Sequence, residues 1–190
     1  GRDAHIVMGD SVNASTRLGY LAGNMYFWTN GSERLRLDTA GNAGLGVTPS
    51  AWGASAKALQ ILSRTSLSEL SGYSYLNNNA YTDGGATTRY LATAAASQYI
   101  QGVGTHSWNI AASGTAGNPI SFTQAMTLDA SGNLLVGTTS AVEKLTLTGR
   151  AFLADQAAPA TPTGGGVIYV EAGALKYKGS SGTVTILAAA

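Results

Sequence analysis

One short pattern occurs twice in this chain, and it constrains the fold more than any other feature of the sequence. Residues 35–48 read LRLDTAGNAGLGVT, and residues 126–139, which lie 91 positions later, read MTLDASGNLLVGTT. In each copy apolar residues alternate with polar ones, the alternation stops at an Asp-x-x-Gly-Asn segment, and apolar residues then resume. Alternation with a period of two is typical of a half-buried strand. Self-similarity at a fixed offset indicates a structural unit that is used twice.

The middle of each copy has the composition of a hairpin turn. An Asp side chain can accept hydrogen bonds from backbone N–H groups just ahead of it, and glycine tolerates a positive φ. We therefore predict two β-hairpins. The predicted turn residues are Asp38, Gly41, Asn42, Asp129, Gly132 and Asn133. A lysine-led segment follows each hairpin, KALQI at 57–61 and KLTL at 144–147, so the similarity continues beyond the turns.

Glycines stand opposite the apolar positions after the first turn. Gly44 and Gly46 leave one face of that strand almost without side chains. Such a strand is weak unless another backbone approaches its bare face. We expect a neighbouring copy of the same chain to lie there.

The rest of the chain is also predicted to be all-β. Residues 25–28 place apolar or aromatic side chains on both faces of a strand, and Asn30-Gly31 is a strong hairpin signal. Residues 50–58 are small and indicate a loop or one weak helical turn. Further short strands are predicted at 59–62, 73–76, 88–92, 99–103, 107–110 and 120–123, with turns at 77–79 and 83–85.

Three modules are expected: 1–62 with the first hairpin, 63–150 with the second, and 151–190. The last begins with a Pro- and Gly-rich linker and ends in a β-meander. The meander strands are predicted at 167–171, 174–178 and 183–187. Modules of this size bury too little surface to be robust alone, and the absence of Cys excludes disulfides. Oligomerisation is therefore expected.

Composition excludes several classes of function. The 11 Lys and Arg residues balance 10 Asp and Glu, so no basic stripe indicates nucleic acid. No apolar run is long enough for a membrane helix. His5 and His106 lack a partner at metal-binding spacing, so no metal or other cofactor is expected. Because the first residue is Gly1 rather than Met, we expect a fragment, a processed product or a tagged protein.

Catalysis is not expected either. Glycan-cleaving proteins need two carboxylates about 5–10 Å apart. Asp38 and Asp129 are explained by turns, and no sequence pattern pairs the remaining candidates, although a pair formed between chains would not show in the sequence. Those candidates are Glu69, Asp83, Asp155 and Glu171.

Aromatic residues are the better candidates for ligand contact. Flat Tyr and Trp faces can stack on sugar rings, and Asn amides can donate and accept hydrogen bonds. The alternative is that these aromatics fill the core of an oligomer. The candidate glycan- or receptor-binding residues are Tyr73, Tyr75, Asn78, Tyr81, Trp28 and Trp108.

Residues 33–48, ERLRLDTAGNAGLGVT, resemble the ERMRIDSSGNVGIGTT element of tailed-phage tail fibre and tailspike proteins. Residues 124–139 are a second copy, and residues 113–122 and 164–187 are also similar to such fibres. The resemblance implies an elongated homotrimeric β-fibre whose chains wrap a common axis, with apolar faces meeting there.

The resemblance implies a structural component of a phage virion, a tail fibre exposed for host-surface attachment. Its expected partners are two further copies of itself, other virion proteins and host-surface glycan. Three alternatives stay open: a capsid or neck decoration fibre, a polysaccharide-degrading tailspike, and a bacterial extracellular fibre or adhesin.

Overall fold

The structure, a computed structural model, describes the backbone of residues 4–7 and all of residues 16–190. Every helix or strand in these residues is a β-strand, so the prediction of an all-β fold is confirmed. The chain divides into two compact units, residues 1–148 and residues 149–190. A module boundary between residues 62 and 63 stays a prediction.

The first unit contains fifteen strands within the described residues. They are β1 (Ala4–Val7), β2 (Arg17–Leu21), β3 (Asn24–Thr29), β4 (Ser32–Leu37), β5 (Ala43–Leu45), β6 (Lys57–Ile61), β7 (Thr65–Leu70), β8 (Tyr73–Asn78), β9 (Ala80–Thr82), β10 (Thr88–Tyr90), β11 (Ala94–Gly102), β12 (Thr105–Gly114), β13 (Thr123–Leu128), β14 (Leu134–Val136) and β15 (Leu145–Leu147).

Thirteen of these described strands form one sheet in which nearly every strand lies beside its predecessor in the chain. The order is β1 to β8 and then β11 to β15. Strands β9 and β10 leave this sheet and pair with each other. Pairing is antiparallel except at two equivalent places, β5 with β6 and β14 with β15, where the strands are parallel.

Both copies of the repeated pattern form a hairpin with the same five-residue turn. The carboxylate of Asp38 accepts hydrogen bonds from the backbone N–H of Ala40 (3.0 Å) and Asn42 (2.7 Å). Asp129 accepts the corresponding bonds from Ser131 (2.9 Å) and Asn133 (2.8 Å). The turn glycines, Gly41 and Gly132, have φ of 85° and 75°.

The structural repeat is larger than the sequence repeat, because it spans the five strands β2–β6 and again β11–β15. In both repeats a two-residue turn joins the first two strands, at 22–23 and at 103–104. All four turn residues have positive φ. Both carry a β-bulge before the hairpin, at Arg34 and at Ala125. The bulge carbonyls accept hydrogen bonds from Gly46 N (2.8 Å) and Gly137 N (3.0 Å).

The buried face of this sheet is mostly polar. Loops and the β9–β10 hairpin cover it: Ser66 Oγ donates to Ala80 O (3.0 Å), and Gln60 Oε1 accepts from Ser50 N (2.9 Å). Trp52 packs edge-to-face on a ring of the hairpin beside buried Ala56 and Ala58. The buried polar residues of the unit are Asn42, Gln60, Ser66, Ser68, Asn77, Asn79, Gln98 and Asn109.

Some local expectations differ from the structure. The sequence predicts a turn at 77–79, but Asn77 and Asn78 belong to β8, and only Asn79 leaves the strand, with φ of 62°. Strand β7 does not follow from the sequence pattern, since its polar serines obscure the apolar alternation. Of the two alternatives for 50–58, the structure shows the loop, which leads into β6.

The bare face of Gly44 is filled by the chain itself rather than by another copy. A Cβ built on Gly44 would lie 2.1 Å from the carbonyl oxygen of Val47 and 2.8 Å from Cδ of Pro49. The expectation that a neighbouring chain lies there is therefore wrong. The loop that follows β5 folds back onto Gly44, and it has room there only because glycine has no side chain.

The second unit is an antiparallel meander, as the sequence predicts. Its strands are β16 (Gly166–Glu171), β17 (Ala174–Gly179) and β18 (Val184–Ala188). Tyr169 and Ala174 are buried, whereas every residue of β18 is exposed. Lys176 and Glu171 form an ion pair at 2.8 Å.

Candidate functional site

A continuous row of apolar side chains crosses the large sheet on the face opposite the buried polar residues. Strand pairing from β2 to β8 and from β11 to β15 places one residue of each of these twelve strands in the central row, because directly paired residues share a face. The central row consists of Tyr20, Met25, Leu37, Ala43, Leu59, Leu67, Leu76, Tyr99, Trp108, Met126, Val136 and Leu147.

A second apolar row widens this face within each repeat. We call the central row together with these flanking residues the apolar face. The flanking residues are Leu18, Phe27, Leu35, Leu45 and Ile61 in the first repeat and Leu128, Leu134 and Leu145 in the second.

Burial on the two faces is the reverse of what an isolated soluble sheet needs. In the single chain Leu67 and Leu76 are each 51% exposed, although they lie at the centre of the apolar face. Ser66, one residue away on the other face, is 0% exposed, and Asn77 is 4% exposed. Large contiguous exposed apolar surfaces mark interaction sites. The apolar face is therefore a candidate interface.

The predicted glycan-binding residues do not form one site. We call the face that carries the buried polar residues the polar face. Tyr73 and Tyr75 lie on the polar face, with ring centroids 6.4 Å apart, whereas Asn78 of the same strand points to the opposite side of the sheet. Tyr81 packs against a buried tryptophan in the β9–β10 region. Trp108 belongs to the central row, where its ring centroid lies 5.2 Å from that of the neighbouring tyrosine.

Trp28 lies instead in a cleft on the polar face of the first repeat. The rings of Tyr26 and Trp28 meet edge-to-face with centroids 6.1 Å apart. Beside them Arg36 donates two hydrogen bonds of 2.7 Å to Glu33, and this contact raises the pKa of Arg36 above its ordinary value. The cleft has a volume of about 220 Å³, and Arg17 also lines it.

Sequence reasoning missed most of this cleft, although a signal was available. Tyr26 and Trp28 alternate on one strand, and Glu33 and Arg36 lie on the next strand, across a hairpin turn. Strand pairing brings the four together: Tyr26 opposes Arg36, and Trp28 opposes Glu33. Tyr26 is only 6% exposed, so the half-buried Trp28 ring is the flat surface that the cleft offers beside its charged hydrogen-bonding groups.

The carboxylates considered for catalysis each have a structural partner. Asp83 accepts hydrogen bonds from Arg89 and from the N–H of Thr87, and these lower the pKa of Asp83. Lys176 lowers the pKa of Glu171 in the same way. Glu69 accepts from a turn N–H at 2.7 Å, and Asp155 accepts from another at 3.4 Å.

The described residues contain neither a metal-binding cluster nor a membrane-spanning helix. No group of three His, Asp or Glu side chains in that part of the chain is placed to hold a metal ion. Nor does residue range 16–190, or the short strand at 4–7, contain a helix of the length and apolarity needed to cross a membrane.

Comparisons with known proteins find similarity in structure but none in sequence family. No protein-family model matches the sequence, and no curated protein matches it. Among solved structures, the chain is similar to a protein described as Geobacillus virus E2 ORF18, with a TM-score of 0.43 and 18% sequence identity. The match covers 71% of this chain and 26% of that one, so the chain spans about a quarter of that protein's length.

Proposed function

We propose that this chain is a structural component of a phage virion, in which three copies assemble into a β-fibre segment with their apolar faces towards a common axis. The observation that carries the proposal is the apolar face itself. Its central residues are half exposed in the single chain, while the serines and asparagines of the opposite face are buried. Burying the apolar face against other copies removes that surface from water.

The number three rests on the resemblance of residues 33–48 and 124–139 to trimeric tail fibres. Two sheets could also cover one another face to face. A closed trimer differs in that each apolar face meets two others around an axis. The proposed location is a tail fibre, with a capsid or neck fibre as the alternative.

The mass of the purified chain in native buffer tests this proposal. We expect a particle with three times the chain mass of 19.3 kDa. A folded single chain at micromolar concentration would overturn the proposed assembly, and a dimer would overturn the trimer. Electron microscopy of intact particles with a labelled antibody would then distinguish a tail position from a capsid position.

A second proposal concerns attachment to the host surface. The cleft at Tyr26 and Trp28 lies on the polar face, so it stays outside when the apolar faces meet. Its half-buried Trp28 ring and its Arg36–Glu33 pair suit a saccharide, which offers both an apolar ring face and hydroxyl groups. We propose that this cleft, rather than the candidates Tyr73, Tyr75, Asn78 and Tyr81, contacts host glycan.

Cell-binding assays with trimeric protein test the attachment proposal. Trp28→Ala removes a wall of the cleft, and we expect cell binding to fall at least about tenfold, which corresponds to 1.4 kcal/mol. Tyr75→Ala is the matched control, because Tyr75 lies on the same face in a different part of the sheet. If both variants bind like the wild type, the cleft is not the attachment site.

A further inference from the structure

The second repeat ends at an open sheet edge, whereas the corresponding edge of the first repeat is covered. In the first repeat β7 pairs antiparallel with β6, so that Leu67 lies opposite Leu59 and Thr65 lies opposite Ile61. Strand β15 corresponds to β6, because each pairs in parallel with the second strand of its hairpin. No described strand pairs with the other side of β15, which is the last strand of the sheet. The second repeat therefore has no counterpart of β7.

The open edge of β15 presents the backbone groups that β6 uses to pair with β7. Lys144 O accepts a hydrogen bond from β14 at 2.7 Å, and Thr148 N donates one to β14 at 2.9 Å. Backbone groups of successive strand residues alternate between the two edges, so those of Leu145 and Leu147 point away from β14. A row of unpaired N–H and C=O groups at a sheet edge is a template for a further strand.

The sequence that follows β15 resembles the strand that covers β6. Residues 58–70 read ALQILSRTSLSEL, and residues 144–156, which lie 86 positions later, read KLTLTGRAFLADQ. Both segments place an arginine, a leucine and an acidic residue at the same spacing, and the matching pairs are Arg64 and Arg150, Leu67 and Leu153, and Glu69 and Asp155. Residues 151–155 are therefore the sequence counterpart of β7.

This segment forms no strand in the structure and leaves apolar side chains exposed. Phe152 is 90% exposed and Leu153 is 43% exposed. Phe152 corresponds to Ser66, which is buried and donates to Ala80 of the β9–β10 hairpin. No such hairpin covers the second repeat within the described residues, so a larger side chain has room there. Each copy thus carries both an open edge and a segment whose sequence fits it.

The turn between β15 and this segment explains why a chain does not cover its own edge. Leu62 begins the turn from β6 to β7 with φ of 51°. Thr148 occupies the equivalent place: Leu62 N donates to Leu45 O and Thr148 N to Val136 O, both at 2.9 Å. A β-branched residue at positive φ is strained, and the φ of Thr148 is not positive. A hairpin within one chain is therefore disfavoured after β15, and the edge is left to another chain.

We infer that residues 151–155 of a second copy of this chain add to the β15 edge as an antiparallel strand, in the register of β7 on β6. Leu153 then lies opposite Leu145, and Ala151 lies opposite Leu147. Exchange of an identical element between copies is domain swapping, and it closes when every copy both gives and receives a strand. The inference rests on the proposed function, because a closed exchange among three copies requires the trimer.

Disulfide formation across the inferred pair tests the exchange, in a chain that has no Cys of its own. Leu145→Cys and Leu153→Cys are introduced together, because opposed residues of antiparallel strands lie within disulfide range. After mild oxidation we expect most chains to be linked to one another, as two- and three-chain species on a denaturing gel without reductant. If this pair prevents assembly, Leu147→Cys with Ala151→Cys replaces it.

Two further variants sharpen the test. Leu145→Cys with Ala154→Cys is the matched control, because adjacent strand residues point to opposite faces, and we expect about tenfold less linked product. Thr148→Gly, added to the pair at 145 and 153, removes the barrier to a turn within one chain. We then expect the disulfide within single chains to rise by about tenfold. No such rise would overturn the role of Thr148 in directing the exchange.

The outcomes separate this inference from the proposed assembly. A wild type that is monomeric in native buffer overturns the assembly, and the exchange with it. A trimeric wild type whose paired thiols close within single chains overturns the exchange alone. The exchange is also overturned if the thiols of the trimer stay unlinked, or if the control pair links as readily as the inferred pair.

Discussion

The two five-stranded repeats share a backbone geometry and differ in the side chains and loops that pack on it. In both repeats the carbonyl oxygen of the bulge residue accepts a hydrogen bond from the N–H of the glycine that follows the second hairpin strand. An Asp side chain organises the hairpin turn, and the next strand of the repeat pairs in parallel. Lys57 Nζ donates to the carbonyl of Ala40, and Lys144 Nζ donates to that of Ser131, the equivalent turn residue. The hydrogen-bonding frame is therefore what the repeat preserves.

The contrast lies on the polar face, at one pair of equivalent positions. Leu135 is 2% exposed and fills its own site. Gly44 has no side chain, and Val47 and Pro49 from the following loop occupy the space instead. One site is filled by a side chain and the other by backbone and a proline ring.

The crossover loops differ in the same way. The loop after β5 is organised by Gln60, whose side-chain oxygen accepts from Ser50 N and Trp52 Nε1. At the equivalent position in β15, Thr146 Oγ1 accepts from Val142 N (3.1 Å) and Glu143 N (3.2 Å). A longer side chain holds the longer loop. The lesson is that loops and filling residues can change while the strand pairing stays the same.

The largest expected effect concerns Leu135. Leu135→Ala removes most of a side chain that is only 2% exposed, and we expect the free energy of unfolding to fall by about 2–5 kcal/mol because a cavity is left behind. Chemical denaturation measures this change. Val142→Ala, at a position 81% exposed in the next loop, should stay within about 0.5 kcal/mol. A loss at Leu135 no larger than that of the control would mean that the two sites are not filled as described.

The turn glycines should respond alike in both repeats. Gly41→Val and Gly132→Val place a β-branched residue at positive φ, and each should cost about 1–3 kcal/mol per chain. A Cβ at either position would meet nothing closer than 3.8 Å, so backbone strain rather than a clash is the cause. Gly84→Val is the control, since Gly84 lies in open space without positive φ. Unchanged melting of both turn variants would show that the repeats are not equivalent hairpins.

The smallest effect is the dependence of stability on pH at the second turn. Hydrogen bonds from the backbone N–H and then the side chain of Asn133 hold the pKa of Asp129 below its ordinary value of 3.8. A carboxyl group with a lowered folded-state pKa stabilises the fold above its unfolded pKa and loses this contribution as the pH falls through the folded pKa.

Asp129→Asn should therefore reduce the loss of stability that follows when the pH is lowered below about 4. Denaturation at neutral pH and at acidic pH, for the variant and the wild type, measures the difference. Equal losses in both proteins would show that Asp129 does not contribute to acid sensitivity.

Sequence predicted the parts of the fold that depend on local chemistry. The Asp-x-x-Gly-Asn turns and the terminal meander follow from turn residues and alternation, which act over a few positions. The full five-strand repeat could not be predicted from the sequence, because the first two strands of the two repeats share their strand pairing but few residue types. Phe27 corresponds to Trp108, and Tyr26 to Ser107.

The candidate sites were harder to predict for a different reason. Whether Asn77 lies in a turn or in a strand depends on its hydrogen bonds to β7 and β11, which are distant in sequence. Asn77 donates to Ser66 Oγ and accepts from Gln98, so its polarity is used inside the fold. The apolar face likewise emerges only when strand register aligns residues that are far apart in the chain.

Accessibility at the centre of the apolar face tests the central claim most directly. Leu67→Cys places a single thiol at a site that is 51% exposed in the single chain. Gly84→Cys provides a thiol in open space as the control. With a water-soluble maleimide under native conditions, we predict that the control reacts quickly while Cys at position 67 is protected until the assembly is unfolded. Equal labelling rates in native buffer would show that water, rather than another copy, covers the apolar face.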